Sequence, residues 1–166
     1  NERKSRIHQP LGLIGENLEG ISWEKAYGAI AERIRELKPL PQEVLALTDT
    51  HASNEELFLI QKLLKEGFSS ENIFCPFPTW EQSESDFFIN TLITTDKTPN
   101  RAGALALQIK GDQKNTKLKK VIEGELKVVF VLGNPFENES ELKEIIKRTQ
   151  LVIHIGIFHN SWSEMA

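Results

Sequence analysis

The sequence predicts an α/β fold: a parallel sheet with helices on both faces, in three αβα layers. Two observations predict it. Short apolar runs at residues 44–47, 73–75, 127–132 and 151–158 alternate with helix-patterned stretches of ten to fifteen residues, as βαβ units do. Right-handed crossovers then place helices on both sheet faces. The segments between runs also carry helix start and stop signals rather than hairpin turns.

Residues 1–20 read as an irregular N-terminal arm, with Arg3, Lys4 and Arg6 basic and Gly12, Gly15 and Gly20 as punctuation. Residues 21–166 read as a single α/β domain. The chain starts at Asn1 and ends at Met165-Ala166, which fits an excised piece of a longer polypeptide. Ser22 is the expected N-cap of a helix over residues 23–38. Trp23, Ala26, Tyr27, Ile30, Ile34 and Leu37 recur at spacings of three and four, which lines them up as one apolar stripe. Pro39 and Pro41 stop it.

Val44 to Leu47 reads as a buried strand running into the polar turn Thr48 to Ala52. Ser53 and Glu56 form a capping box. Leu57, Ile60, Leu63 and Leu64 give the next helix its buried side, and Gly67 ends it. Ile73 to Cys75 is a second short strand, cut off by Pro76 and Pro78. Residues 76–86 read as loop, Phe87 to Thr94 as another apolar stretch, and Asp96 to Arg101 as a polar turn. Leu118, Val121 and Ile122 suggest a short helix in the lysine-rich stretch 110–120. Lys127 to Leu132 is the clearest buried strand, Gly133-Asn134-Pro135 turns the chain, and Asn138 or Ser140 opens a helix with Leu142, Ile145 and Ile146 inward. Leu151 to Phe158 is the closing strand.

The 166 residues carry 24 acidic and 20 Lys+Arg side chains, a formal charge of −4. That mild acidity argues against wholesale nucleic-acid binding. The lysines at 110, 114, 117, 119 and 120 read first as a solvated face, next as a surface for an acidic protein partner, and as a nucleic-acid surface last, because no aromatic residues interleave them. The one cysteine excludes a disulfide scaffold and a cysteine-ligated iron–sulfur cluster within this chain. Apolar runs of about five residues fall well short of the roughly twenty that a membrane helix needs.

In a parallel sheet, ligands sit outside the carboxyl ends of the strands. That edge would carry Thr48 to Asn54, Cys75 to Pro78, Gly133 to Phe136 and Phe158 to Ser161. Asp49, His51 and Ser53 are triad residue types, but they lie within five residues of one another and Ser53 has a capping role; turn and cap is the plainer reading. His154 and His159, at odd spacing, would point to opposite faces of a strand. Cys75 reads as a small buried hydrophobe rather than a nucleophile. There is no phosphate-loop signature and no G-x-G-x-x-G. Gly133-Asn134-Pro135 leaves backbone amides open, as a phosphate-holding turn does and as many plain connections also do.

Several segments, in order, resemble one family. Ile21-Ser22-Trp23-Glu24-Lys25-Ala26 is similar to the hydrophobic-Ser-Trp-Asp/Glu-x-Ala entry of molybdopterin oxidoreductases. Ser53-Asn54-Glu55-Glu56 is similar to that family's S-N-E-E helix start, and Glu71-Asn72-Ile73 to its N-N-I-D segment. Thr95 to Ala104 resembles its N-x-x-G-A region, and Val131-Leu132-Gly133-Asn134-Pro135, with the strand near His154, its G-x-N-P unit. Asp96 to Arg101 looks especially like the large iron–sulfur subunit of respiratory NADH:quinone oxidoreductase, complex I, whose C-terminal region is a molybdopterin-enzyme domain without cofactor.

The resemblance implies a Rossmann-like, reduced molybdopterin-oxidoreductase-type domain. Departures accompany the matches: Cys75 lies nearer its strand than the family's metal ligand, only a short linker joins Trp80 to Thr95 where the family has a long insertion, and the upstream cysteine-rich cluster region is absent. The implied function is therefore a non-catalytic structural or docking domain, with no cofactor in this chain and iron–sulfur clusters only elsewhere in the parent. Its partners would be other domains and subunits of a respiratory complex, cytoplasmic and peripheral to the inner membrane, with no direct membrane insertion. One alternative is a fragment of an active enzyme that binds molybdopterin guanine dinucleotide. Another is a small nucleotide-binding module. For the dinucleotide, or a vestige of its site, Thr48, Asn54, Gly133 and Asn134 are the contacts expected from loop position.

Overall fold

The structure, a computed structural model, describes residues 6–15, 17–75, 99–109, 116–135, 142, 144 and 146–166. The expected apolar stretch Phe87 to Thr94, the loop 76–86, residues 96–98 of the polar turn, and Lys110, Lys114, Asn138, Ser140 and Ile145 lie outside the described residues.

Four parallel strands form the central sheet: β3 (Val44–Thr48), β4 (Ile73–Phe74), β5 (Val128–Leu132) and β6 (Leu151–Ile155), in spatial order β4-β3-β5-β6. Both β3 and β5 are buried at every position, as strands covered on two faces must be. Alternate residues feed two cores. Val44, Ala46, Val128 and Phe130 face Leu57, Ile60 and Leu64 of the helical stretch after β3. Leu45, Leu47, Val129 and Val131 face Leu118, Leu142, Ile146 and Trp162. Side chains on helical segments thus cover both faces of the sheet, in keeping with three αβα layers.

The helix starts follow from their caps. In α1 (Trp23–Leu37) the Ser22 side chain accepts from the Lys25 amide at 3.3 Å. Lys38 adopts a left-handed φ of 44° at the exit, immediately before Pro39. In α2 (Asn54–Lys62) the capping box is reciprocal: the Glu56 amide donates to Ser53 Oγ at 3.2 Å, and the Ser53 amide donates to Glu56 Oε2 at 2.8 Å. A π-helical turn at Leu63–Gly67 continues α2 and turns Leu64 into the core. Two shorter helices, α3 (Arg101–Ala106) and α4 (Thr116–Ile122), bury Ala104 and Leu118 respectively.

Two expectations need correction. The N-terminal arm is not irregular throughout: β1 (Leu11–Ile14) and β2 (Asn17–Gly20) pair antiparallel as a hairpin. Gly15, at φ +65°, supplies the left-handed backbone that its tight reversal requires. The closing strand stops at Ile155, and Phe158 makes only an isolated bridge to Arg6. Gly156 follows directly, and a side chain there would run into the His154 ring. The apolar stripe read along α1 is present, buries no residue completely, and leaves Trp23 and Tyr27 60% and 63% exposed.

Candidate functional site

Chain order and spatial order diverge between β3 and β5. From β3 the chain goes to β4 on one side and later returns to place β5 on the other. Such a switch point opens a crevice at the carboxyl edge of the sheet, because the crossovers on its two sides lead away from it. Here its two lips are Asp49 to Ala52, after β3, and Gly133 to Pro135, after β5.

The lips are sewn together. The Asp49 amide extends the ladder by donating to the Leu132 carbonyl at 3.0 Å, and the Gly133 amide donates to the Ile155 carbonyl at 2.8 Å. The Asp49 carboxylate then turns into the crevice. Its Oδ2 accepts from the Asn134 amide at 3.0 Å, across the gap. Its Oδ1 accepts from the His51 amide at 2.8 Å and lies 2.7 Å from His51 Nδ1. A carboxylate can only accept, so Nδ1 carries the ring proton and Nε2 faces outward on a side chain that is 76% exposed. Gly133, at φ +77°, lies so close that a Cβ would strike the Cβ of Asp49.

Electrostatics follow the geometry. Burial alone would raise the Asp49 carboxyl, but donation from the His51 amide, the His51 ring and the Asn134 amide outweighs it, leaving the group below its ordinary 3.8. His154 lies on the other side of the glycine turn, with Nε2 2.9 Å from the Gly133 carbonyl. A carbonyl accepts, so Nε2 is protonated in that contact. Burial depresses the His154 pKa below 6.5, the Gly133 carbonyl partly opposes this, and nearby His159 adds to the depression. Asn134 Oδ1 is buried without a hydrogen-bond partner among the described residues.

Of the four residues expected to touch a cofactor, two line this crevice and two face elsewhere. Gly133 and Asn134 form its β5 lip. Thr48 is fully buried, with its hydroxyl directed to the Phe74 carbonyl at 3.3 Å. The Asn54 side chain accepts from Asn100 Nδ2 at 3.0 Å, and the same nitrogen donates to the Ala52 carbonyl at 2.8 Å. Gly103 then packs against Asn54 and Asn100 where a larger residue would clash. The N-x-x-G-A segment therefore serves here to pin α3 onto the start of α2.

The remaining candidates are structural by geometry. Cys75 is fully buried, and burial pushes its thiol up to about 11, partly offset by the Thr48 hydroxyl, so it is protonated at neutral pH. The Ser53 hydroxyl is committed to its helix cap. His159 Nδ1 lies 3.4 Å from Ser163 Oγ, while His154 is held at Gly133. No group of three His, Cys, Asp or Glu side chains among the described residues could hold a metal. Lys119 and Lys120 are exposed on α4. Among the described residues, no helix is long and apolar enough to cross a membrane.

Asp49 has a larger role than the sequence suggested. A lone Asp after a strand is a common turn residue, and its role depends on β5 being the neighbour of β3. Trp162 was also unforeseen: it is fully buried in the second core, with Nε1 donating to the Pro135 carbonyl at 2.9 Å. No protein-family model matches the chain, and no curated protein matches it.

Proposed function

We propose that this chain is a non-catalytic structural and docking domain of the large iron–sulfur subunit of respiratory NADH:quinone oxidoreductase. In this reading it is a molybdopterin-enzyme domain that has lost its cofactor. It would hold its place among the other domains and subunits of the complex, on the cytoplasmic side and peripheral to the inner membrane. Electrons would pass through iron–sulfur domains elsewhere in the parent.

The observation that carries this reading is the Asp49 carboxylate in the switch-point crevice. A dinucleotide's phosphates need open amide donors there. Instead the Asn134 amide donates to a carboxylate of the protein itself, and that negative charge would meet the incoming phosphate. Thr48 and Asn54 are committed to Phe74 and Asn100, and Cys75 is fully buried in the first core. These residues do not fit molybdopterin guanine dinucleotide. The ordered motif resemblance supports this choice of parent, and its Asn100-x-x-Gly103-Ala104 and Ser53-Asn54 segments meet in one packed unit beside the crevice.

Metal and pterin analysis of the purified chain and its full-length parent tests the proposal. The expected result is iron in the parent and neither molybdenum, tungsten nor extractable pterin in either. Stoichiometric molybdenum or tungsten with pterin in the parent would overturn it.

A further inference from the structure

We propose that the switch-point crevice is an oxyanion cradle that the chain keeps closed with its own carboxylate. Three N–H donors converge on Asp49: the backbone amides of His51 and Asn134, at 2.8 and 3.0 Å, and the His51 ring at 2.7 Å. Donors drawn from two loops around one anion are what a phosphate or sulfate group requires. They stand where the strand order reverses, at the edge of a parallel sheet that favours ligands. The β5 lip adds Gly133, at φ +77°, whose missing side chain lets the backbone approach Asp49. Asp49 reaches this position from the end of β3, where its amide is fixed by the Leu132 carbonyl.

The carboxylate engages all three donors and places its own charge there, and its tether gives it an effective concentration that a free anion has to overcome. Asp49 is thus a specificity-determining residue: it excludes phosphate-bearing ligands from a crevice whose backbone suits them. The inference stands on the crevice alone and does not depend on the parent complex, so the two can fail separately.

Inorganic phosphate is the probe, titrated into isotope-labelled chain while the amide signals of His51 and Asn134 are followed. Wild type is expected to show no saturable shift at either amide. Asp49→Ser empties most of the cradle and keeps a hydroxyl that can hold the turn at His51. It is expected to show saturable shifts at both amides, with sulfate competing and chloride not. Asp49→Asn keeps the volume and removes the charge. It is expected to bind phosphate at least about tenfold more weakly than the serine variant, yet measurably better than wild type. Saturable binding to wild type at these amides would overturn the proposal. So would a folded Asp49→Ser chain without it. Should the serine variant not fold, a folded Asp49→Asn chain indistinguishable from wild type would overturn it equally.

Discussion

Strand β3 and helix α1 make opposite use of apolar residues. β3 has five residues and buries all of them. α1 has fifteen, carries an apolar stripe along its length, and buries none completely. The difference lies in neighbours rather than composition. β3 is flanked by β4 and β5 and covered on both faces, whereas α1 reaches the first core chiefly through Leu37 at its C-terminal end. An amphipathic pattern establishes that a helix forms; it does not establish that the fold around it supplies a partner.

The largest effect that would test the contrast is in the sheet. Leu45→Ala removes a fully buried side chain from the second core, where the surrounding strands cannot collapse to fill the gap. A loss of about 2–5 kcal/mol is expected, read from the denaturant midpoint at constant slope. A loss below about 1 kcal/mol would mean that the sheet interior is no better packed than the helix surface.

The crevice comes next, and it is tested by acid. The Asp49 carboxyl has a folded-state value below 3.8, so its contribution is present above the unfolded value and is lost as pH falls through the folded one. His154 also has a lowered folded-state value, so between that value and 6.5 the unfolded chain binds more protons. Both groups therefore make the protein less stable as pH falls, in two separate windows. Asp49→Asn should cost about 1–3 kcal/mol at neutral pH and should flatten part of the acid loss below pH 3.8. His154→Gln should flatten only the window below 6.5. Chemical denaturation across pH separates them. An unchanged acid profile in Asp49→Asn would show that the carboxylate does not bridge the two lips.

How far the sequence could foresee this arrangement varies by element. The βαβ alternation, the Ser22 cap, the Ser53–Glu56 box and the buried β5 were legible because each rests on local spacing. The hairpin at Leu11–Gly20 was not, because its four-residue strands lack clean polar–apolar alternation and its glycines read as plain punctuation. The end of β6 was read three residues too long, since Ile157 and Phe158 continue the apolar run past Gly156. At the site, Gly133 and Asn134 were foreseeable as a turn after a buried strand. Their partner Asp49 was not, because the contact depends on strand order, and residues 85 apart in sequence meet only once β5 has paired with β3. Thr48 is the last residue of β3 and Asn54 the first of α2 rather than loop residues, and each side chain turns to a neighbour that local spacing cannot reveal.

The smallest expected effect is at the exposed end of α1. Trp23 and Tyr27 stack at 5.5 Å on successive turns, and a pair of this kind on a helix surface contributes about 0.2–0.5 kcal/mol. Alanine is the better helix former, which offsets part of that loss. Trp23→Ala and Tyr27→Ala should therefore each shift the stability of the isolated chain by no more than about 0.5 kcal/mol. That is several times less than Leu45→Ala, although both aromatic side chains are larger than leucine. The indole also reports on its own surroundings. With three tryptophans in the chain and Trp162 fully buried, the Trp23→Ala difference spectrum should isolate a water-exposed emitter that aqueous quenchers reach readily. A stability loss above about 1 kcal/mol, together with a Trp23 signal protected from quencher, would place a packed partner over the α1 stripe in solution and dissolve the contrast with β3.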